Sequence, residues 1–184
     1  VCGSMGCGRG TTLGRFQQLT RNLYPLQDTS CDVCVVPELL EHMADWQGVL
    51  DEAARLLRPG GVLYLSTTNT LCPAQQEFNL PLYSWYPAPL KRRCERLAVT
   101  TWPEVANYAK YPAVNWFTYY SLRDALRERG FSRFMDRLDM IEVRVADTSR
   151  ATVAKWLQRI PLARLGCQLA TPNSLILAFK PTAD

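Results

Sequence analysis

Between Cys31 and Ser66 the chain runs through an apolar β-branched stretch, an amphipathic helix and a second apolar stretch. Asp32 to Val36 is short and ends at Pro37, the pattern of a strand covered on both faces, as in parallel sheets. From Asp45 to Leu57, the apolar residues Trp46, Val49, Leu50, Ala53, Leu56 and Leu57 fall at helical spacing, while Asp51, Glu52 and Arg55 take the wet side. The spacing predicts that this helix stops at Arg58-Pro59-Gly60-Gly61, because proline cannot continue it and glycine permits a left-handed exit. Val62 to Ser66 reads as the next buried strand. Strand, short helix and strand in that order make a right-handed βαβ unit and place the chain in the α/β class.

Length and charge set the frame around this unit. A chain of 184 residues, 47% hydrophobic, can bury a real core as a single domain spanning 1–184. Its 21 basic and 17 acidic residues give a net charge of +4, too mild to indicate a nucleic-acid partner. No apolar run reaches the ~18 residues of a membrane span, and the N-terminus shows no basic-then-apolar signal pattern. Seven scattered cysteines then point to reduced thiols and a cytoplasmic location. Cys31 and Cys34 form a C-x-x-C, but within a strand residues three apart face opposite ways, so they read as buried small hydrophobes. With one histidine in the chain, no metal site is expected.

Outside the central unit the signals vary. Gly6-Cys7-Gly8-Arg9-Gly10 is a glycine-rich turn, Thr11 to Leu19 a short helix, and residues 20 to 30 a loop. Residues 70 to 120 break the alternation with six prolines and eleven aromatic residues, and their length favours a functional insertion such as a lid or binding segment. Inside it, Leu90 to Leu97 forms a small basic amphipathic helix. That helix could face a phosphate-bearing acceptor or an anionic membrane surface, although a solvated face over an apolar underside is the plainer reading. Ser121 to Arg129 reads as a helix with Ser121 as N-cap, Phe131 to Leu138 as a strand, Arg150 to Leu165 as largely helical with a bend or stop at Pro161, and Ser174 to Lys180 as a last strand.

Two features carry chemistry. The glycine turn lets backbone approach a ligand where a Cβ would collide. His42, the sole histidine, falls near the carboxyl end of the Asp32 strand, with Glu38 four residues earlier, on the same helix face if the helix starts that early. It could serve as a general base, or with Glu41 it could brace the helix against the sheet.

The run Asp32-Val33-Cys34-Val35-Val36-Pro37-Glu38-Leu39-Leu40-Glu41-His42, followed by Leu57-Arg58-Pro59-Gly60-Gly61 and Thr67-Thr68-Asn69, resembles class I S-adenosylmethionine-dependent methyltransferases of the small-molecule, ubiquinone-biosynthesis-like type. The resemblance implies a Rossmann-like, mostly parallel sheet with flanking helices and an antiparallel C-terminal strand pair. It implies S-adenosylmethionine as cofactor and a small-molecule acceptor. Gly6, Gly8 and Gly10 would pass beneath the methionine part, and Val36 and Pro37 would line the pocket beside the sulfonium. Only residues 11 to 30 separate Gly10 from Cys31, too few for a second βαβ unit of roughly 30 residues, so the N-terminal strands are expected to be incomplete. A sheet shortened in this way would leave an open edge, through which a homodimer could form. The rival reading is a non-catalytic, methyltransferase-like binding or regulatory protein that has lost part of its cofactor site.

Overall fold

The computed structural model describes residues 6–7, 26–109, 111–144, 152, 156 and 159–182. Its sheet has five strands: β1 (Gly6–Cys7), β2 (Cys31–Pro37), β3 (Leu57–Thr68), β4 (Arg133–Asp136) and β5 (Asn173–Phe179). In space they lie in the order β1-β2-β3-β5-β4. The parallel character expected from the sequence resides in the β2–β3 pair, where Val36 stands opposite Leu65 and Pro37 opposite Ser66. β1 joins β2 antiparallel, β5 joins β3 antiparallel, and β4–β5 is the expected antiparallel C-terminal pair.

Helix α1 (Trp46–Leu56) crosses between the two parallel strands. It starts where the sequence indicates: the Asp45 carboxylate accepts a hydrogen bond from Gly48 N at 3.0 Å and so satisfies one of the open N–H groups of the first turn. Val49, Leu50, Ala53 and Leu56 are completely or almost completely buried and pack with Cys34, Val36, Leu63, Leu65, Ile176 and Ala178. The exit differs in detail. Leu57 is already extended, and Arg58 to Gly61 open β3 rather than cap the helix. The left-handed residue is Gly60 (φ 75°), whose N–H donates to Pro181 O. At Gly61 a Cβ would sit 2.8 Å from the carbonyl oxygen of Arg58, so glycine is needed there for close approach. The helix's last carbonyls are met instead by Lys180, whose Nζ donates to Ala54 O and Leu57 O, both at 2.9 Å.

After the insertion, helix α3 (Tyr119–Glu128) lays Leu122 and Leu126 on the same core. Its N-cap is Thr118, not Ser121. Thr118 Oγ1 accepts from Ser121 N at 3.0 Å and Ser121 Oγ accepts from Thr118 N at 3.1 Å, a reciprocal box that sets the helix start three residues earlier. The strand expected over Phe131 to Leu138 is shorter for a related reason. Asp136 accepts from Asp139 N at 3.1 Å and caps helix α4 (Arg137–Arg144), so Leu138 is helical. Arg164 then clamps Asp136 and Asp139. Arg164 lies on helix α5 (Pro161–Ala170), which Pro161 begins rather than ends, as suits a ring that has no N–H to offer and a fixed φ. The helix expected at Thr11 to Leu19 lies outside the described residues.

The insertion has its own apolar cluster of Phe78, Tyr83, Ala98, Val105 and Ala106, against which Trp116 packs. Helix α2 (Ala88–Thr100) supplies one wall and contains the basic stretch seen in the sequence. Backbone N–H groups of Val114 and Asn115 donate to Glu41 O, and Asn115 Nδ2 donates to Leu40 O (3.0 Å) and Met43 O (2.6 Å). The insertion is thereby tied to the chain just beyond β2.

Cys34, Cys72, Cys94 and Cys167 are free, whereas Cys31 is disulfide-bonded, so the expectation of seven reduced thiols fails at that position. Cys31 and Cys34 are both buried in the same core cluster; a register irregularity between Cys31 and Val33 interrupts the regular alternation. Burial pushes the Cys34 thiol up to about 12, which leaves it inert. No helix among the described residues is long and apolar enough to cross a membrane.

Candidate functional site

Polar residues gather at the carboxyl ends of the parallel pair, the edge where ligands of open α/β sheets bind. β3 ends in Ser66, Thr67 and Thr68, followed by Asn69, and all four are buried. Such polar groups are costly inside unless paired, and most here are. Thr68 Oγ1 donates to Asn115 O at 3.1 Å, and Asn69 Nδ2 donates to Gln168 O and Thr171 O.

Past Pro37 the backbone turns sharply at Glu38 (φ 44°), a left-handed conformation that costs a side chain about 1–2 kcal/mol. Hydrogen bonds from β3 and β5 hold it there. Glu38 N donates to Ser66 O at 2.8 Å, Ser66 Oγ donates to Glu38 Oε1 at 2.7 Å, and Asn173 Nδ2 to the same oxygen at 3.3 Å. A 3₁₀ turn over Leu40–His42 follows. Glu38 lies outside that turn, so it does not share a helix face with His42 as the four-residue spacing suggested.

Glu41 is completely buried. Its Oε2 accepts from Thr67 Oγ1 at 2.6 Å, while Oε1 has no partner among the described residues. Burial pushes its carboxyl up to about 8, against the hydrogen bond from Thr67; the neighbouring Glu38 adds to the rise. His42 is half-buried, and its Nδ1 is fully covered yet has no hydrogen-bond partner among the described residues. From the insertion comes Glu77, also raised by burial and pulled back by the nearby charge of His42. One ligand atom each from Glu41, His42 and Glu77 lie within 4.8 Å of one another. Two carboxylates and an imidazole in that arrangement can share protons or hold a divalent cation, a capacity that the lone-histidine argument overlooked.

The structure thus brings His42 together with two carboxylates. Glu41 also fills the bracing role read from the sequence, since it ties the 3₁₀ turn to β3. Val36 is wholly buried in the core, and Pro37 is half-buried at the strand end. Gly6 pairs with Val35 along the edge of β2. Gly8 and Gly10 lie outside the described residues. Glu77 was missed because it stands 35 positions from His42 in a stretch without periodicity; its only signal is a carboxylate beside Phe78 in an aromatic-rich segment. Thr67 entered the sequence reading only in the run Thr67-Thr68-Asn69, without its role as Glu41's donor.

Residues 15–65 match a family model described as a methyltransferase domain. Over 47 residues the chain is 45% identical to a probable S-adenosylmethionine-dependent methyltransferase of Mycolicibacterium smegmatis. That stretch is 26% of this chain and 18% of the relative, so the chain spans far less than two thirds of the relative it matches. Among solved structures, an S-adenosylmethionine-dependent methyltransferase of Mesorhizobium loti is similar at 16% identity with a TM-score of 0.47, covering 89% of this chain and 68% of that one. The YcgJ protein of Bacillus subtilis is similar at 17% identity with a TM-score of 0.44, covering 92% and 72%. The resemblance to class I S-adenosylmethionine-dependent methyltransferases stands on a methyltransferase-domain match that contains β2, His42, α1 and β3 as far as Leu65.

Proposed function

We propose that this chain catalyses S-adenosylmethionine-dependent methyl transfer to a small-molecule acceptor. The observation that carries the reading is the coincidence of two independent facts. The methyltransferase-domain match contains β2, α1 and β3 as far as Leu65, and the carboxyl edge of this unit is where Glu41, His42 and Glu77 converge. The edge fits a polar ligand: Ser174 Oγ and Glu41 Oε1 are buried there without partners among the described residues, an arrangement that costs free energy until something is bound.

The cofactor would supply an electrophilic methyl group on a sulfonium. Gly6, Gly8 and Gly10, with the Val36 backbone and Pro37, would hold it. Such a displacement rests on alignment and proximity. Where the acceptor is a hydroxyl, a base must take its proton, and His42 is the residue for that task. Glu41, held protonated by its burial, keeps the 3₁₀ turn against β3.

Calorimetric titration with S-adenosylhomocysteine tests the cofactor reading: saturable heat is expected, and none at millimolar ligand would assign the chain to a non-catalytic scaffold. His42→Ala should lower turnover about 10²-fold or more with the heat of S-adenosylhomocysteine binding unchanged. Undiminished turnover would remove His42 from the chemistry.

A further inference from the structure

The insertion does more than cover the site, and the unpartnered nitrogen of His42 shows what else it contributes. Nδ1 is shut away from solvent with no partner among the described residues, in a ring that lies beside two carboxylates. A buried N–H left unpaired costs about 1–3 kcal/mol, so the ring is poised to take a partner. Glu41 is poorly placed for it. It is adjacent to His42 in a 3₁₀ turn, where consecutive residues point about 120° apart, and one of its oxygens is held by Thr67. Glu77 arrives from a different segment, half-buried on a stretch without regular secondary structure, with a carboxylate oxygen within 4.8 Å of a His42 ring nitrogen. It feels the charge of His42.

We propose that Glu77 is the positioning residue of His42: its carboxylate accepts the Nδ1–H, fixes the tautomer that leaves Nε2 unprotonated, and steadies the imidazolium formed when Nε2 takes an acceptor's proton. This rests on the proposed base role of His42. In that step the acceptor's O–H bond breaks, an Nε2–H bond forms, the electron pair stays on the oxygen, and the positive ring is paired with Glu77. The insertion is then part of the proton-transfer apparatus as well as a cover, and its docking through Asn115 sets the base's competence.

Because His42 is the only histidine, its two ring nitrogens give an unambiguous ¹⁵N spectrum. Recorded near pH 9, without acceptor or cofactor, that spectrum should show the Nδ1–H tautomer in the majority. Glu77→Ala should relax the ring to a mixture, while Glu77→Gln, whose amide oxygen can still accept, should keep the preference; Glu41→Gln should leave it unchanged. An Nε2–H majority in the wild-type protein overturns the proposal whether or not Glu77→Ala folds. So does an identical spectrum in Glu77→Ala, or loss of the preference in Glu41→Gln instead. Addition of millimolar MgCl₂ or ZnCl₂ should leave the nitrogen shifts in place; a move to metal-bound values would overturn the dyad in favour of a cation site. None of these outcomes depends on S-adenosylhomocysteine binding, so failure here leaves the methyl-transfer reading to its own test.

Discussion

The β2–α1–β3 unit and the insertion between Thr70 and Phe117 are built on different physics. In the unit, residues close in sequence solve the folding problem together: Asp45 caps α1, the helix's apolar stripe meets the two strands it connects, and Pro59 and Gly60 mark where the direction changes. The insertion instead packs aromatic rings, with Phe78 stacked on Tyr83 at 4.1 Å between centroids and Trp116 edge-on to Tyr83 at 5.3 Å. It is fastened to the sheet by a few polar bonds from Asn115 and by the Asn69–Phe117 bridge. A region fastened so lightly is expected to open on its own, without unfolding the sheet.

The largest test of that difference compares two core truncations. Leu50→Ala should cost about 2–5 kcal/mol of global stability, and Phe78→Ala about 3–5 kcal/mol. Only the first should reach β3. In hydrogen exchange, Phe78→Ala should speed the amides of 78–106 while those of Leu63 and Leu65 keep their protection. Equal loss in both regions would make them one cooperative unit.

A second effect concerns the joint between the regions. Glu41 keeps its proton in the folded protein up to about pH 8, whereas the unfolded chain releases it near the ordinary value of 4.5. The folded state therefore binds more protons between those values, and stability should fall as pH rises from about 4.5 through about 8. The Tm of Glu41→Gln should show a flatter dependence over that window. A wild-type Tm that rises through it would show that Glu41 is ionised in the fold and stabilised by something else.

The smallest effect is expected at Asn115. Asn115→Ala removes the donors to Leu40 O and Met43 O and should cost about 1–3 kcal/mol, felt chiefly as faster exchange in the insertion. If exchange there is unchanged, the aromatic packing alone holds the insertion down.

The same contrast explains what could be read from the residues. The β2–α1–β3 unit follows from periodicity and from proline and glycine stops, which act over a few residues, whereas the antiparallel pairing of β4 with β5 was implied by the family resemblance. The start of α3 was misplaced by three residues because capping depends on which hydroxyl the backbone reaches first, and Ser121 and Thr118 both qualify by type. Pro161 was read as a bend or stop because its ring breaks a helix interior, whereas the same ring suits the first turn that it opens. The site was half legible. His42 stood out as the lone imidazole at a strand's end, but the pairing of Glu41 with Thr67 and the approach of Glu77 span 26 and 35 positions and leave no spacing to detect. Glu38 shows the reverse error: a helical interval proposed a shared face, and a left-handed backbone turned the side chain to Ser66 and Asn173.

Photo-crosslinking of methyl-labelled S-adenosylmethionine to the intact chain, followed by peptide mapping, tests most directly whether the carboxyl edge of β2 and β3 is the cofactor site. Label is expected in the peptide that contains Pro37 to His42, and excess S-adenosylhomocysteine should compete it away. Label confined to other peptides, or indifferent to the competitor, would contradict the assignment.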